Sequence, residues 1–211
     1  MTKQRIAATW KSAWQDPATR RGILITLPLL IVTLSTLARF LQEVERRPGV
    51  VVSDPVLALF TPHDVTWLTF LLIYAGLLGA IAILMRDPRR LLLAIHAYII
   101  MVFFRICAMS LLPLEPPQAM IPLTDPFVEF FGTGVRLNKD LFFSGHTSTL
   151  FLLSLSMQSR RWQGVFFFCT AAVACCVLIQ HAHYTVDVFV APFVAYASYR
   201  LALSLNSRLF R

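Results

Sequence analysis

Apolar residues fall in six long runs, near 22–43, 66–85, 91–112, 141–158, 164–181 and 187–206, and polar residues collect in the gaps between them. A hydrocarbon core of about 30 Å needs about 20 apolar residues per helix. In lipid every backbone polar group must be paired, so runs of this length are expected as helices rather than strands. The pattern predicts an all-α polytopic membrane protein: a six-transmembrane-helix bundle over residues 22–206, with both termini on one side. Ahead of it, residues 1–21 are polar and basic. Ile6, Trp10 and Trp14 recur at i, i+4 and i+8 and share one helix face. This N-terminal segment is expected to lie as an interfacial helix in the cytoplasmic headgroup region, and residues 207–211 to form a short cytoplasmic tail. The first apolar run is too long for a signal-peptide core of about 7–15 residues.

Composition agrees with the pattern. The chain is 57% hydrophobic and 14% charged, against about 25% charged in soluble domains, and its mean hydropathy is +0.66. A net charge of +8 would ordinarily raise nucleic acid as a partner, but the distribution of the charge argues against it. Lys3, Arg5, Lys11, Arg20, Arg21, Arg86, Arg89, Arg90, Arg160, Arg161, Arg200, Arg208 and Arg211 fall at one set of segment ends. The opposite loops hold only Arg46, Arg47, Arg136 and Lys139. The positive-inside rule then puts the termini in the cytoplasm. The acidic residues lie mostly on the other side, at Glu43, Glu45, Asp54, Asp64, Glu115, Asp125, Glu129 and Asp140. Cys107, Cys169, Cys175 and Cys176 sit inside apolar segments without metal-type spacing and read as small hydrophobes. No metal and no cofactor are expected.

Two polar stretches interrupt the apolar chain on the non-cytoplasmic side. NKDLFFSGHT at 138–147 opens the fourth run, and HYTVD at 183–187 joins the fifth to the sixth. His183 and Asp187 are four apart and share a helical face. A carboxylate there can fix one imidazole nitrogen and leave the other as a nucleophile. Ser144 is a good helix N-cap, and Gly145 lets an anionic group approach the backbone. The first amides of a helix attract anions, so Ser144 and Gly145 read as a phosphate cradle with His146 beside it. Arg105 lies about two-thirds through the third run, where an arginine costs about 2.5–3.5 kcal/mol on insertion scales. Two roles are open to it: a bidentate hold on a substrate phosphate, or a structural pairing with Asp140 or Asp187. His96 reads as a satisfied polar residue inside the bundle. His63 and His181 lie at membrane edges, where structural roles are expected; assistance to the site is the other role open to His181.

These stretches, in this order, resemble the type-2 phosphatidic acid phosphatase (PAP2) superfamily, and its sphingomyelin synthase branch most closely. That branch carries GD-x-x-x-SGHT, matched here by KD-LFF-SGHT with Asp140 at the same offset. It carries H-x-HYT-[VI]-D-V, matched by His181, His183, Tyr184, Thr185, Asp187 and Val188. Against its earlier RR…Y…R…LP-x-P pattern this chain has Arg89, Arg90, Tyr98, Arg105 and the LPLEPP run at 112–117. The resemblance implies that His183 attacks phosphorus to give a phosphohistidine, that Asp187 orients it, and that His146 acts as acid and then base. It places Arg105, Asp140, Ser144, Gly145 and Tyr184 among the substrate contacts.

The simple phosphatases of the superfamily carry K-x6-RP, PSGH and SR-x5-H-x3-D. Here no K-x6-RP is present, Phe143 replaces the proline, and Val177 stands six before His183 where an arginine would be. A phosphomonoester carries nearly two negative charges and benefits from several cations; a phosphodiester carries one. The expected activity is transfer of a phospho-headgroup from a membrane phospholipid donor to a lipid alcohol acceptor such as ceramide or diacylglycerol, on the periplasmic, luminal or extracellular face. The other readings are a lipid phosphate phosphatase, a phospholipase C-like hydrolase, and a non-catalytic lipid-binding or lipid-moving protein. The proline-containing loop 113–140, with FVEFFGTG, is long for a bundle connection and is expected to cover the site.

Overall fold

The computed structural model describes residues 3–124 and 137–209. Seven α-helices run through them: α1 Lys3–Gln15, α2 Pro17–Arg46, α3 Thr66–Leu84, α4 Pro88–Leu111, α5 Gly145–Ser156, α6 Arg160–Ile179 and α7 Thr185–Leu209. Among the described residues there is no β-strand; Val50 and Leu114 form an isolated bridge. FVEFFGTG, Asp125, Glu129 and Arg136 lie outside the described residues, as does Arg211.

The helix starts follow local chemistry. Asp16 caps α2 by accepting from the Thr19 N–H, with Pro17 at the first helical position. Asp87 and Pro88 do the same for α4, where Asp87 accepts from the Arg90 N–H. Proline suits that position because its missing N–H would be unpaired there anyway. α1 docks through the Trp10 indole, which donates to Met85 O at 2.7 Å, and through an Arg89–Asp16 ion pair of 3.2 Å.

Five helices, α2, α3, α4, α6 and α7, are long and apolar enough to cross a membrane. The six-span expectation is therefore corrected at its fourth segment. In place of a helix over 141–158 the chain forms the 12-residue α5, about 18 Å long at 1.5 Å per residue. This segment is rich in serine and threonine, and Thr147, Ser148, Ser154 and Ser156 are buried in the bundle. α5 packs against α3, α4, α6 and α7, so protein rather than lipid surrounds it, and irregular backbone at its ends is tolerated.

α5 still links the two ends of the bundle. Its start is tied to α7, where the Ser144 N–H donates to Asp187 O at 3.1 Å. Beyond its end, Gln158 and Ser159 share a cavity with Thr9 of α1 and with Arg86, Asp87 and Arg90 of the α3–α4 turn. α7 returns to that same end, where Asn206 Oδ1 lies 2.8 Å from His96 Nδ1. His96 also meets Thr26 Oγ1 through Nε2 at 2.7 Å, so it is a bonded polar residue joining α2, α4 and α7, as expected from its place in the sequence.

Candidate functional site

The two polar stretches meet at the opposite end of the bundle from α1. His146 stands in the first turn of α5 and His183 just before α7, and their ring centroids are 6.5 Å apart. Both line a cavity of about 80 Å³ with Asn138 and Asp140. Asp187 is fully buried; its Oδ2 lies 3.5 Å from His183 Nδ1 and accepts the Tyr184 N–H at 3.1 Å. The carboxylate faces Nδ1, so Nε2 is the nitrogen of His183 left for chemistry. A gap of 3.5 Å is long for a hydrogen bond, as is common in catalytic pairs without substrate.

Arg105 reaches this site from α4. Its side chain is 7% exposed, and Nη2 pairs with Asp140 Oδ1 at 2.5 Å, while Nη1 donates to Phe143 O. Of the two carboxylates proposed as structural partners, Asp140 is the one it meets. Burial works to raise the Asp140 carboxyl, but the Arg105 guanidinium outweighs it, with smaller help from His183 and His146, and holds it below the usual range. A Cβ on Gly145 would lie 2.6 to 2.9 Å from the guanidinium atoms. A side chain at position 145 would require the guanidinium to shift from its place against the start of α5.

Ser144 occupies the N-cap position of α5 without a side-chain capping bond; its hydroxyl donates to Thr147 Oγ1 at 3.1 Å. Tyr184 is placed elsewhere than the expected substrate contact. It is 1% exposed, donates its hydroxyl proton to Glu115 O at 2.9 Å, accepts the Val52 N–H at 3.2 Å, and lines a different cavity.

An apolar cleft of about 490 Å³ opens from the site between α2, α3, α4 and α5. Arg105, Asp140, Gly145 and His146 form its polar end, and Leu34, Leu37, Ile73, Leu77, Leu150 and Leu153 lie along it. Among the described residues lining this cleft and the smaller cavity, Arg105 is the sole lysine or arginine.

Several residues outside the expected site set hold the site together. Glu45 Oε2 accepts the N–H groups of Asn138 and Lys139, both at 3.0 Å. Lys139 Nζ pairs with Glu115 Oε1 at 2.7 Å and donates to Arg47 O at 2.9 Å. Together they pin the strand of backbone that carries Asp140. Asp54 caps α7 from the α2–α3 loop, accepting Thr185 N–H at 2.6 Å and Thr185 Oγ1–H at 3.0 Å. The signal that the sequence offers for them is the run of carboxylates on this side of the chain.

The Asp54 cap makes a pH-dependent prediction. Burial acts to raise its carboxyl, and hydrogen bonds from Thr185, Leu57 and Val56 outweigh it, so the folded pKa sits below the ordinary 3.8. A lowered folded pKa contributes stability that is complete above the unfolded value and lost as pH falls through the folded one. Thermal midpoints in detergent should therefore fall below about pH 4, more steeply for wild type than for Asp54→Asn. At neutral pH, Asp54→Ala should cost about 0.5–2 kcal/mol, the range for a lost N-cap.

Residues 139–203 match the family model described as PAP2 superfamily C-terminal. No curated protein and no solved structure matches the chain. The matched span is less than half of the chain and holds Asp140, Ser144, His146, His183 and Asp187, so this segment is similar to the C-terminal part of that superfamily.

Proposed function

We propose that this protein is an integral membrane phosphotransferase that moves a phospho-headgroup from a glycerophospholipid to a lipid alcohol such as ceramide or diacylglycerol. The observation that carries the reading is the cleft. Its polar end holds Arg105, Asp140, Gly145 and His146, and apolar walls lead away from it, as a lipid with its phosphate at the histidines requires. The PAP2 match and the five membrane-length helices support a lipid phosphatase or phosphotransferase.

The charge of the site favours a diester. Arg105 is already paired with Asp140, so the site offers little net positive charge for a phosphate with nearly two negative charges. A diester phosphate carries one, which the α5 N-terminus and a protonated His146 can hold. In the proposed reaction His183 Nε2 attacks phosphorus and the bond to the diacylglycerol oxygen breaks. His146 gives that oxygen its proton, leaving the phospho-headgroup on His183. The acceptor hydroxyl then loses its proton to His146 and attacks phosphorus, and the N–P bond breaks. The charge asymmetry of the loops supports a site on the non-cytoplasmic face.

A donor screen tests the reading. Purified protein is incubated with labelled ceramide or diacylglycerol and with phosphatidylcholine, phosphatidylethanolamine, phosphatidylglycerol or phosphatidylinositol in turn, alongside phosphatidic acid. Headgroup transfer from one diester is the expected result. Phosphate release from phosphatidic acid with every diester untouched would make it a lipid phosphate phosphatase. Headgroup release to water alone would make it a phospholipase C-like hydrolase.

A further inference from the structure

The backbone leaves α6 through a turn that normally carries glycine. The His181 N–H donates to Leu178 O and the Ala182 N–H to Val177 O, both at 2.9 Å. This pair of bonds defines a helix C-terminus whose next residue takes the left-handed conformation, and His181 does so at φ 53°. Glycine adopts that conformation without penalty, and a side chain does not. The histidine side chain is nonetheless buried, 4% exposed, and its Nε2 has no hydrogen-bond partner among the described residues. Its ring meets Phe60 edge-on at a centroid distance of 5.1 Å. Backbone strain and an orphaned buried nitrogen at one residue are what a functional side chain shows.

His181 lines a cavity of about 440 Å³, walled by residues 51–54 and 57–58 of the α2–α3 loop and by residues 117–119. The turn 181–184 separates it from the cavity of His146. Ala182 and His183 line that cavity, His181 and Tyr184 line this one, and the two linings share no residue. The polar lining consists of Ser53, Asp54, Gln118, His181 and Tyr184, and no lysine or arginine is among it. The Asp54 carboxylate already accepts from Val56, Leu57 and Thr185. It therefore sets the sign of the field rather than offering a free contact, and it repels anions. Ser53 and Gln118 are exposed, and His181 Nε2 is the buried position without a partner among the described residues. Val51, Val52, Leu57 and Pro117 supply apolar walls that suit methylene groups.

We propose that this cavity is a second binding site, distinct from the phosphate site, for a small alcohol or amino alcohol without negative charge, held by a hydrogen bond to His181. The occupant is either the free alcohol or the same group at the head of a phospholipid.

The test reads the His181 imidazole directly. Protein carrying ¹⁵N-labelled histidine is studied by NMR, with the His181 signal assigned by its loss in His181→Gly. Free ethanolamine and glycerol are titrated into detergent-solubilised protein, with glycerol 3-phosphate as the anionic control. Protein in nanodiscs of phosphatidylethanolamine is compared with protein in nanodiscs of phosphatidic acid. A saturable shift of the His181 signal with the free alcohols supports the site with a soluble occupant. A shift confined to phosphatidylethanolamine nanodiscs supports it with a headgroup occupant. His181→Gly is expected to melt at or above wild type and to bind the alcohols at least ten-fold more weakly by calorimetry. No shift in any arm, an equal response to glycerol 3-phosphate, or a His181→Gly protein that melts well below wild type would each overturn the proposal. None of these readouts depends on turnover at His183.

Discussion

His183→Ala is expected to reduce headgroup transfer per folded molecule by about 10⁴-fold or more, the scale on which a covalent nucleophile is lost. The reasoning starts from position. His183 is 3% exposed, its Nδ1 faces the buried Asp187 carboxylate, and its other nitrogen is directed to the cavity that also holds His146. Removing the ring deletes the group proposed to form the bond to phosphorus, and no neighbouring side chain of that cavity is placed to replace it. His146→Ala should cost about 10²–10⁴-fold, the range for a general acid and base. His183 and His146 act on one reaction coordinate, so the double variant should be scarcely slower than His183→Ala. Purified variants assayed with the preferred donor give all three numbers. Full activity in His183→Ala would remove the nucleophile from this account.

The second large effect concerns the Arg105–Asp140 pair. Arg105→Leu should destabilise the protein by about 3 kcal/mol, the lower end of the range for breaking a buried pair, because Asp140 keeps a side-chain exposure of 26%. Arg105→Leu combined with Asp140→Leu removes both charges and should recover most of that stability. Activity should not return with it. The guanidinium also holds Phe143 O and lies against Gly145, so it shapes the start of α5 where the phosphate is proposed to bind. Unfolding in detergent and donor turnover, measured on the same three proteins, separate the structural from the functional share. A double variant as unstable as Arg105→Leu would show that the arginine's other contacts dominate.

Much of this architecture is legible in the pattern of apolar residues, because lipid imposes a length that a hydropathy window can read. α3, α4, α6 and α7 lie close to the expected runs. The earlier start of α2 is announced by Asp16 and Pro17, a cap followed by a first-turn proline. α5 escaped the pattern for a physical reason. Leu141, Phe142 and Phe143 count as apolar, yet they belong to the irregular backbone whose carbonyl at Phe143 is taken by Arg105. Periodicity carries no information about a bond to a residue 38 positions away.

The site divides in the same way. His146, His183 and Asp187 stand out in the sequence because polar residues in lipid require a reason, and the structure brings them together. Their supports do not stand out. Asp54 meets Thr185 across 131 residues and Glu45 meets Asn138 across 93, and a single sequence does not encode those pairings locally. Tyr184 shows the converse: it belongs to the motif, but its hydroxyl is spent on Glu115 and Val52.

The most direct test of the central claim weighs the adduct on the protein. Wild-type protein is mixed with its preferred diester, quenched in alkali after a fraction of a turnover, digested and analysed by mass spectrometry. The account predicts an acid-labile, alkali-stable adduct on the peptide containing His183, heavier by the phosphate together with its headgroup, and absent from His183→Ala. An adduct of phosphate alone would mean that a monoester is the substrate, and an adduct on His146, or turnover with none on His183, would contradict the assignment of the nucleophile.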